Sequence, residues 1–187
     1  MFKIAVLVSG NGSNLQAIID AIENHELEVE LSLVISSRTD AYALKRAQQH
    51  NIKTYTITKT NTDRSNAISE LCQQFHVDLI VLAGYLGILK GEILKSYKNK
   101  IINIHPALLP KYGGRGMYGL HVHQAVINAH ESESGCTVHF VNEEIDAGAI
   151  ILQAKVNVTS DDTPESLAKK VAVHEHKLLL QAIKLFL

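Results

Sequence analysis

Short runs of aliphatic and β-branched residues alternate along the chain with longer segments in which apolar residues recur at helical spacing. The runs in the first half have the length and composition of buried strands, and they predict strands at 3–8, 29–36, 53–57, 78–83 and 100–104. Strands separated by helices specify a parallel sheet. The pattern therefore predicts an α/β fold with a doubly wound, mostly parallel sheet.

The second half of the chain departs from this alternation. Residues 105–119 form a loop rich in proline and glycine, which is followed by a predicted helix at 120–129. Two strand-like runs, 135–141 and 149–156, are joined by a short acidic turn and predict a hairpin. The apolar stretch 164–187 predicts one long final helix.

Residues that favour helix ends support these assignments. Asp40 is predicted to cap one helix and Asn51 to end it, and Thr62 is predicted to cap the next. Thr163 followed by Pro164 combines an N-cap residue with proline in the first helical position, where its missing N–H costs nothing.

Composition narrows the class of protein. The chain has 187 residues, 46% of them hydrophobic, which predicts a single domain (1–187) with its own core. Its 18 Lys and Arg against 19 Asp and Glu leave a net charge of -1, without the basic stripe that binds nucleic acid. Cys72 and Cys136 lie far apart in the sequence, as expected of two buried thiols in a reducing compartment.

No segment has the pattern of a membrane anchor or a secretion signal. Residues 79–89 form the longest apolar stretch, which is too short to span a bilayer and is interrupted by Gly84 and Gly87. The apolar run 4–8 is too short for the core of a signal peptide. We therefore expect a cytoplasmic protein without a membrane partner.

Ligands of doubly wound sheets bind beyond the carboxyl ends of the strands, which points to segments 9–14, 84–89 and 103–110. In the first of them, Ser-Gly-Asn-Gly-Ser-Asn leads into a helix whose N-terminal N–H groups can bind phosphate. A dinucleotide fingerprint is incomplete because Leu15 takes the third glycine position, although Arg38 keeps an NADP site open as an alternative. One phosphate monoester is the simpler ligand.

The ten histidines raise the question of a metal site. His121 and His123 form one pair and His174 and His176 another, but residues spaced i, i+2 point in different directions on a helix. We therefore expect no functional metal.

Asn103 and His105 come at the end of a predicted buried strand, where functional loops emerge. Alternate residues of a strand share a face, so this pair places an amide donor beside an imidazole. Such a pair suits acyl transfer, because the amide stabilises a developing oxyanion while the histidine transfers protons. A histidine that is simply part of the core is the alternative.

Five segments resemble the phosphoribosylglycinamide formyltransferase family of folate-dependent enzymes, and they cover nearly the whole chain in order. They are SGNGSNLQ (9–16), DLIVLAGYLGIL (78–89), INIHPALLPKY (102–112), GCTVHFVNEEIDAG (135–148) and IILQAKV (150–156). The resemblance implies a Rossmann-like formyltransferase fold.

By resemblance, the chain transfers the formyl group of 10-formyltetrahydrofolate, a co-substrate, to the amine of glycinamide ribonucleotide in purine biosynthesis. No metal or nicotinamide is implied. The catalytic residues would be Asn103, His105 and Asp146. Asn103 and His105 would stabilise a tetrahedral intermediate, and Asp146 would raise the pKa of His105.

The resemblance also implies binding residues. The substrate phosphate is expected at Gly12, Ser13 and Asn14, and the substrate amine at Glu175. The folate is expected at Arg64, Leu86, Gly87, Ile88, Leu89 and Asn103.

Three features depart from the family pattern. Gly87 stands where some relatives have a larger basic residue, which predicts altered side-chain contacts to the folate. Segment 113–119 is longer than the usual turn and is either a flap over the ribonucleotide or a looser surface loop. The chain ends at Leu187, sooner than many relatives.

Other functions remain as alternatives. The nearest is a hydrolase that releases formate from the same folate, a family that usually carries an N-terminal regulatory domain for which a first strand at residue 3 leaves no room. Methionyl-tRNA formyltransferase predicts an extra C-terminal domain and a basic face. A non-catalytic phosphate-binding module is disfavoured by the presence of Asn103, His105 and Asp146.

Overall fold

The structure, a computed structural model, describes residues 1–58 and 64–187, and seven strands in these residues form one sheet. In chain order they are β1 (Phe2–Val8), β2 (Val29–Ser36), β3 (Thr54–Thr56), β4 (Leu79–Leu82), β5 (Ile101–His105), β6 (Glu133–Phe140) and β7 (Ile150–Asn157). The order across the sheet is β3-β2-β1-β4-β5-β6-β7, and β1 to β5 pair in parallel. The predicted doubly wound, mostly parallel sheet is confirmed.

The described residues also form six helices. They are α1 (Ser13–Glu23), α2 (Tyr42–Gln49), α3 (Arg64–Gln74), α4 (Glu92–Ser96), α5 (Leu120–Asn128) and α6 (Pro164–Lys184). Helix α4 lies between β4 and β5, where the alternation predicts a helix, but at little more than one turn it is too short for the apolar pattern to give its bounds.

The predicted caps of α2 and α3 have different outcomes. Asp40 does not cap α2: the N-cap residue is Ala41, and the Asp40 carboxylate instead accepts two hydrogen bonds from Arg38, at 2.9 and 2.7 Å. Asn51, with a φ of 56°, follows the end of α2 and prevents its continuation, as predicted. Thr62 lies outside the described residues.

The described chain separates into two compact units, Met1–Asn103 with Leu187, and Ile104–Phe186. The single domain expected from the sequence stays a prediction. In the first unit, every residue from Ile4 to Val8 of β1 is buried, as are the four residues of β4. Central strands of a parallel sheet are covered on both faces, which explains why these strands are continuous apolar runs.

Within the first unit, parallel pairing brings the loops after β1, β2 and β4 to one edge of the sheet. The N–H of Leu86 donates to Oγ of Ser9 at 2.8 Å, and this Oγ lies 2.6 Å from Oγ of Ser37. The predicted ligand loops 9–14 and 84–89 are therefore in direct contact.

In the second unit, β6 and β7 form an antiparallel hairpin, paired from Glu133 with Asn157 to His139 with Ile150. Helix α6 packs against both strands and against α5. The predicted hairpin and long final helix are confirmed. Among the described helices, none has the combination of length and apolar character needed to cross a bilayer.

Helix α6 begins with a reciprocal cap. Oγ1 of Thr163 accepts the N–H of Ser166 at 3.1 Å, and Oγ of Ser166 accepts the N–H of Thr163 at 2.9 Å. Each side chain thus satisfies a backbone donor that the first turn leaves unpaired. The cap predicted at Thr163 is confirmed.

Replacing Thr163 with alanine is expected to lower the free energy of unfolding by about 1 kcal/mol, because the N–H of Ser166 loses its acceptor. Urea denaturation measures the change. Ser160→Ala is the matched control, since Ser160 is exposed and makes no hydrogen bond within the described residues. Equal stability of Thr163→Ala and the parent chain would contradict the capping role.

Candidate active site

His105 ends β5 with only 4% of its surface exposed. Its Nε2 donates a hydrogen bond to the carbonyl of Tyr112 at 2.8 Å. A carbonyl accepts but cannot donate, so the proton of the neutral imidazole belongs on Nε2. The other ring nitrogen, Nδ1, faces Oδ2 of Asp146 at 3.5 Å.

Asp146 lies in the turn between β6 and β7, with a φ of 55°. Its Oδ2 accepts the N–H of Gly114 at 2.9 Å, so the long loop after β5 is bound to this carboxylate. Its Oδ1 lies 3.6 Å from Nε2 of His139. The carboxylate is thus placed between two imidazoles of the second unit.

His139 is a member of this cluster that the sequence analysis missed. It lies on β6, is 2% exposed, and its Nδ1 donates to the carbonyl of Phe140 at 2.8 Å. Like His105, it therefore turns its second ring nitrogen toward Asp146. The only signal in the sequence is that a histidine stands in the strand that leads into the Glu-Glu-Ile-Asp turn, and this does not distinguish it from a core histidine.

Burial and charge act in opposite directions on the His105 pKa. Burial lowers it, Asp146 and the Tyr112 carbonyl raise it, and His139 also lowers it, so that it lies below its ordinary value of 6.5. The expected upward effect of Asp146 is present, but the expected net rise is wrong. Desolvation of the imidazolium outweighs the ion pair, because the site excludes water on nearly every side.

The pKa of Asp146 also lies below its ordinary value. Burial raises it, but the nearby His139 imidazole, the charge of His105 and the N–H of Gly114 together lower it. The carboxylate is therefore ionised at neutral pH. An ionised carboxylate stabilises a neighbouring imidazolium, so this pair has the chemistry needed to transfer a proton.

The first unit contains the predicted phosphate loop. Gly12 is the N-cap of α1 and has a φ of 77°. No N-cap side chain accepts a hydrogen bond from the first turn of this helix. A Cβ at this position would lie 2.5 Å from Cβ of Ala43, so only glycine fits. Ser13 and Asn14 begin α1, which places their N–H groups at its positive end.

The predicted folate residues of the first unit are in the loop after β4 and at the start of α3. Leu86 and Ile88 are about half exposed, and Leu89 is buried. A Cβ on Gly87 would lie 2.5 Å from the ring of Tyr85, so the ring occupies the space that a larger residue needs.

Arg64 is the first residue of α3, and its Nε is buried without a hydrogen-bond partner in the described residues. Burial raises the pKa of Tyr85, and Arg64 partly offsets this rise. Arg64 therefore lies close to Tyr85 and to the loop that carries Gly87.

A sequence profile described as formyl transferase matches residues 2–183, almost the whole chain. The chain belongs to the formyl transferase family. A relative from Haemophilus influenzae, named phosphoribosylglycinamide formyltransferase, is 44% identical over 100% of this chain and 87% of its own length. The protein of the same name from Escherichia coli is 40% identical over 98% of this chain and 86% of its own length.

A solved structure, glycinamide ribonucleotide transformylase 1 from Symbiobacterium toebii, superposes with a TM-score of 0.92 at 38% identity. The match covers 100% of this chain and 87% of that one. The family resemblance and the Rossmann-like formyl transferase fold inferred from the sequence are confirmed.

Within this formyl transferase, the structure brings some of the predicted residues together. His105 and Asp146 form a close pair, and the loop of Gly12 to Asn14 and the loop of Leu86 are joined through Ser9. Glu175 lies on α6, close enough to Cys136 to add to the effect of burial, which raises the pKa of this thiol to about 12. The roles of these residues stay predictions.

The two histidines of α5, His121 and His123, differ in their exposure to solvent. His123 is 4% exposed, whereas His121 is exposed and stacks edge-on with Tyr118. Burial, together with the charge of nearby His105, lowers the pKa of His123 to about 4.

Acidification from pH 7 to pH 4 is expected to destabilise the chain by about 3 kcal/mol through His123 alone. In the unfolded chain His123 binds a proton near pH 6.5, but in the folded chain only near pH 4. The unfolded state therefore binds more protons between these values, and stability falls as the pH falls through this window.

Urea denaturation at several pH values measures this dependence. In His123→Gln the slope of unfolding free energy against pH should be shallower, while the exposed control His121→Gln should keep the parent slope. Parallel slopes in His123→Gln and the parent chain would refute the assignment.

Proposed function

We propose that this formyl transferase carries the formyl group of 10-formyltetrahydrofolate to the amine of glycinamide ribonucleotide. The observation that supports the proposal most directly is the buried His105–Asp146 pair at 3.5 Å, at the end of a strand that also carries Asn103. Family membership and the names of the relatives that match over nearly the full chain support the same substrates.

The proposed reaction begins when the amine nitrogen attacks the formyl carbon and forms a C–N bond. The carbonyl electrons move to oxygen, and the Asn103 amide and the protonated His105 stabilise this oxyanion. The bond between the formyl carbon and the folate nitrogen then breaks, and the electron pair stays on the folate. One proton is lost from the attacking amine and one is gained by the folate nitrogen, so charge and atoms balance.

His105 must change partners during this reaction. Its Nε2–H is donated to the Tyr112 carbonyl, while Nδ1 faces Asp146. For His105 to reach the formyl oxygen through Nε2, the segment that carries Tyr112 has to move away. A negative charge on that oxygen favours the imidazolium, which offsets the effect of burial on the His105 pKa.

The remaining assignments follow the family pattern. We place the phosphate of the ribonucleotide at Gly12, Ser13 and Asn14 and its amine at Glu175. We place the folate at Arg64, Leu86, Gly87, Ile88, Leu89 and Asn103.

The purified chain mixed with a 10-formylfolate tests the proposal. Loss of the formyl group, followed by the absorbance of the folate, is expected only when glycinamide ribonucleotide is present, and the formylated ribonucleotide should appear in equal amount. Formate release without the ribonucleotide would instead identify a hydrolase. No turnover under either condition would refute catalysis of formyl transfer.

A further inference from the structure

Arg46 on α2 is bound to the loop that precedes α1. Its Nε donates to the carbonyl of Asn11 at 2.9 Å, and its Nη2 donates to Oδ1 of Asn11 at 3.2 Å. Its Nη1 donates to Oε1 of Gln16 on α1 at 3.2 Å. The guanidinium also lies over the ring of Tyr42, with Cζ 4.9 Å from the ring centre. These contacts fix the guanidinium to residues on both sides of 12–14.

In the part of the chain that the structure describes, no carboxylate pairs directly with this guanidinium. Within residues 1–58 and 64–187, Arg46 forms no ion pair, whereas Arg38 binds both carboxylate oxygens of Asp40. Asp20 is linked to Arg46 only through Gln16, whose Nε2 donates to Asp20 at 2.8 Å. The charge of Arg46 is therefore held in place by neutral acceptors.

The segment between Asn11 and Gln16 is itself electropositive. The N-cap residue of α1 is Gly12, which has no side chain that could accept the N–H groups of the first turn, and this turn contains no acidic residue. The positive end of the helix dipole and the charge of Arg46 thus add at the same place. Because Arg46 is only partly exposed, solvent screens its charge less than that of a freely exposed side chain.

We propose that Arg46 is a positioning residue and counter-charge for the phosphate of the ribonucleotide. This inference rests on the proposed function, which places that phosphate at Gly12, Ser13 and Asn14. Arg46 holds Asn11 and Gln16, and with them the backbone N–H groups between, and it adds a full positive charge where a dianion binds. Arg46 therefore sets the preference for a phosphorylated amine over the same amine without phosphate.

Three variants separate charge from structure. Arg46→Gln removes the charge and keeps an amide donor, Arg46→Lys keeps the charge, and Lys45→Gln removes one charge from the adjacent exposed position. Lys45 is the matched control because it lies 5.9 Å from the same Tyr42 ring without a hydrogen bond to the loop. Each is assayed for formyl transfer to glycinamide ribonucleotide and to the phosphate-free riboside, and for binding of inorganic phosphate by calorimetry.

In Arg46→Gln, KM for the ribonucleotide and Kd for inorganic phosphate are expected to rise about tenfold, with kcat and the kcat/KM for the riboside within twofold of the parent. Arg46→Lys should recover most of the loss, and Lys45→Gln should change neither constant by more than twofold. Equal KM in Arg46→Gln and the parent, or an equal loss with the riboside, would overturn the inference.

The calorimetric titration needs no turnover. It therefore tests Arg46 even if the chain fails to transfer a formyl group, and a parent chain that binds phosphate but does not formylate the ribonucleotide would refute only the proposed function. Unchanged phosphate affinity in Arg46→Gln would refute the role of Arg46 whatever the activity.

Discussion

Replacing His105 with alanine is expected to lower kcat by about three orders of magnitude with both substrates saturating. The variant loses both the proton that stabilises the oxyanion and the group that moves protons between the amine and the folate. KM values should change little, because these interactions form mainly in the transition state. Steady-state kinetics at neutral pH measure the effect.

Two controls accompany this variant. His121→Ala removes an exposed histidine of α5 and should leave kcat within twofold of the parent. Urea denaturation of His105→Ala shows whether the chain still folds, since His105 is buried and its removal leaves a small cavity. A folded His105→Ala variant with near-normal kcat would contradict the catalytic assignment.

The strands could be predicted from the sequence because their signal is local. β2 begins and ends where the apolar run does, and β4 and β5 lie within a residue or so of their predicted bounds. The order β3-β2-β1-β4-β5-β6-β7 could not be predicted in this way, because pairing depends on contacts between distant segments. The wrong cap prediction at Asp40 has a similar cause. Its carboxylate binds Arg38 instead of the N–H groups at the helix end, and the preference of aspartate for N-cap positions does not account for such a competing partner.

The sequence predicted that His105 and Asp146 act together, but it did not predict the electrostatics of the pair. The family motif identified His105 and Asp146, and the structure brings them to 3.5 Å. The direction in which the His105 pKa shifts depends on how completely the fold removes water from the imidazole. A sequence motif does not contain this information. His139 was missed because its link to Asp146 arises from the pairing of β6 with β7 and the turn between them.

The cluster around Asp146 also gives the long loop a physical connection to the chemistry. Gly114 donates its N–H to the Asp146 oxygen that faces His105, and a Cβ on neighbouring Gly113 would lie 3.3 Å from Cβ of Asp146. The start of segment 113–119 is therefore bound to the Asp146 carboxylate. A displacement of this segment would remove the Gly114 hydrogen bond, which helps to keep Asp146 ionised.

Replacing Asp146 with asparagine is expected to lower kcat at pH 7 several hundredfold. The amide oxygen can still accept the N–H of Gly114, but the amide carries no charge, and its NH₂ group can donate to Nδ1 of His105. The upward effect of Asp146 on the His105 pKa is then lost while the downward effect of burial remains, so the pKa falls further. A smaller fraction of His105 is then protonated at neutral pH, so less imidazolium is present to stabilise the oxyanion.

The dependence of kcat on pH distinguishes this effect from a damaged fold. The Asp146→Asn variant should regain activity as the pH is lowered, with its maximum at a lower pH than in the parent chain, because acid restores the imidazolium that the carboxylate normally favours. Glu143→Gln, an exposed change in the same turn, is the matched control and should keep both the parent rate and the parent profile. If Asp146→Asn lost activity equally at every pH, Asp146 would act through the position of the turn and not through the charge of His105.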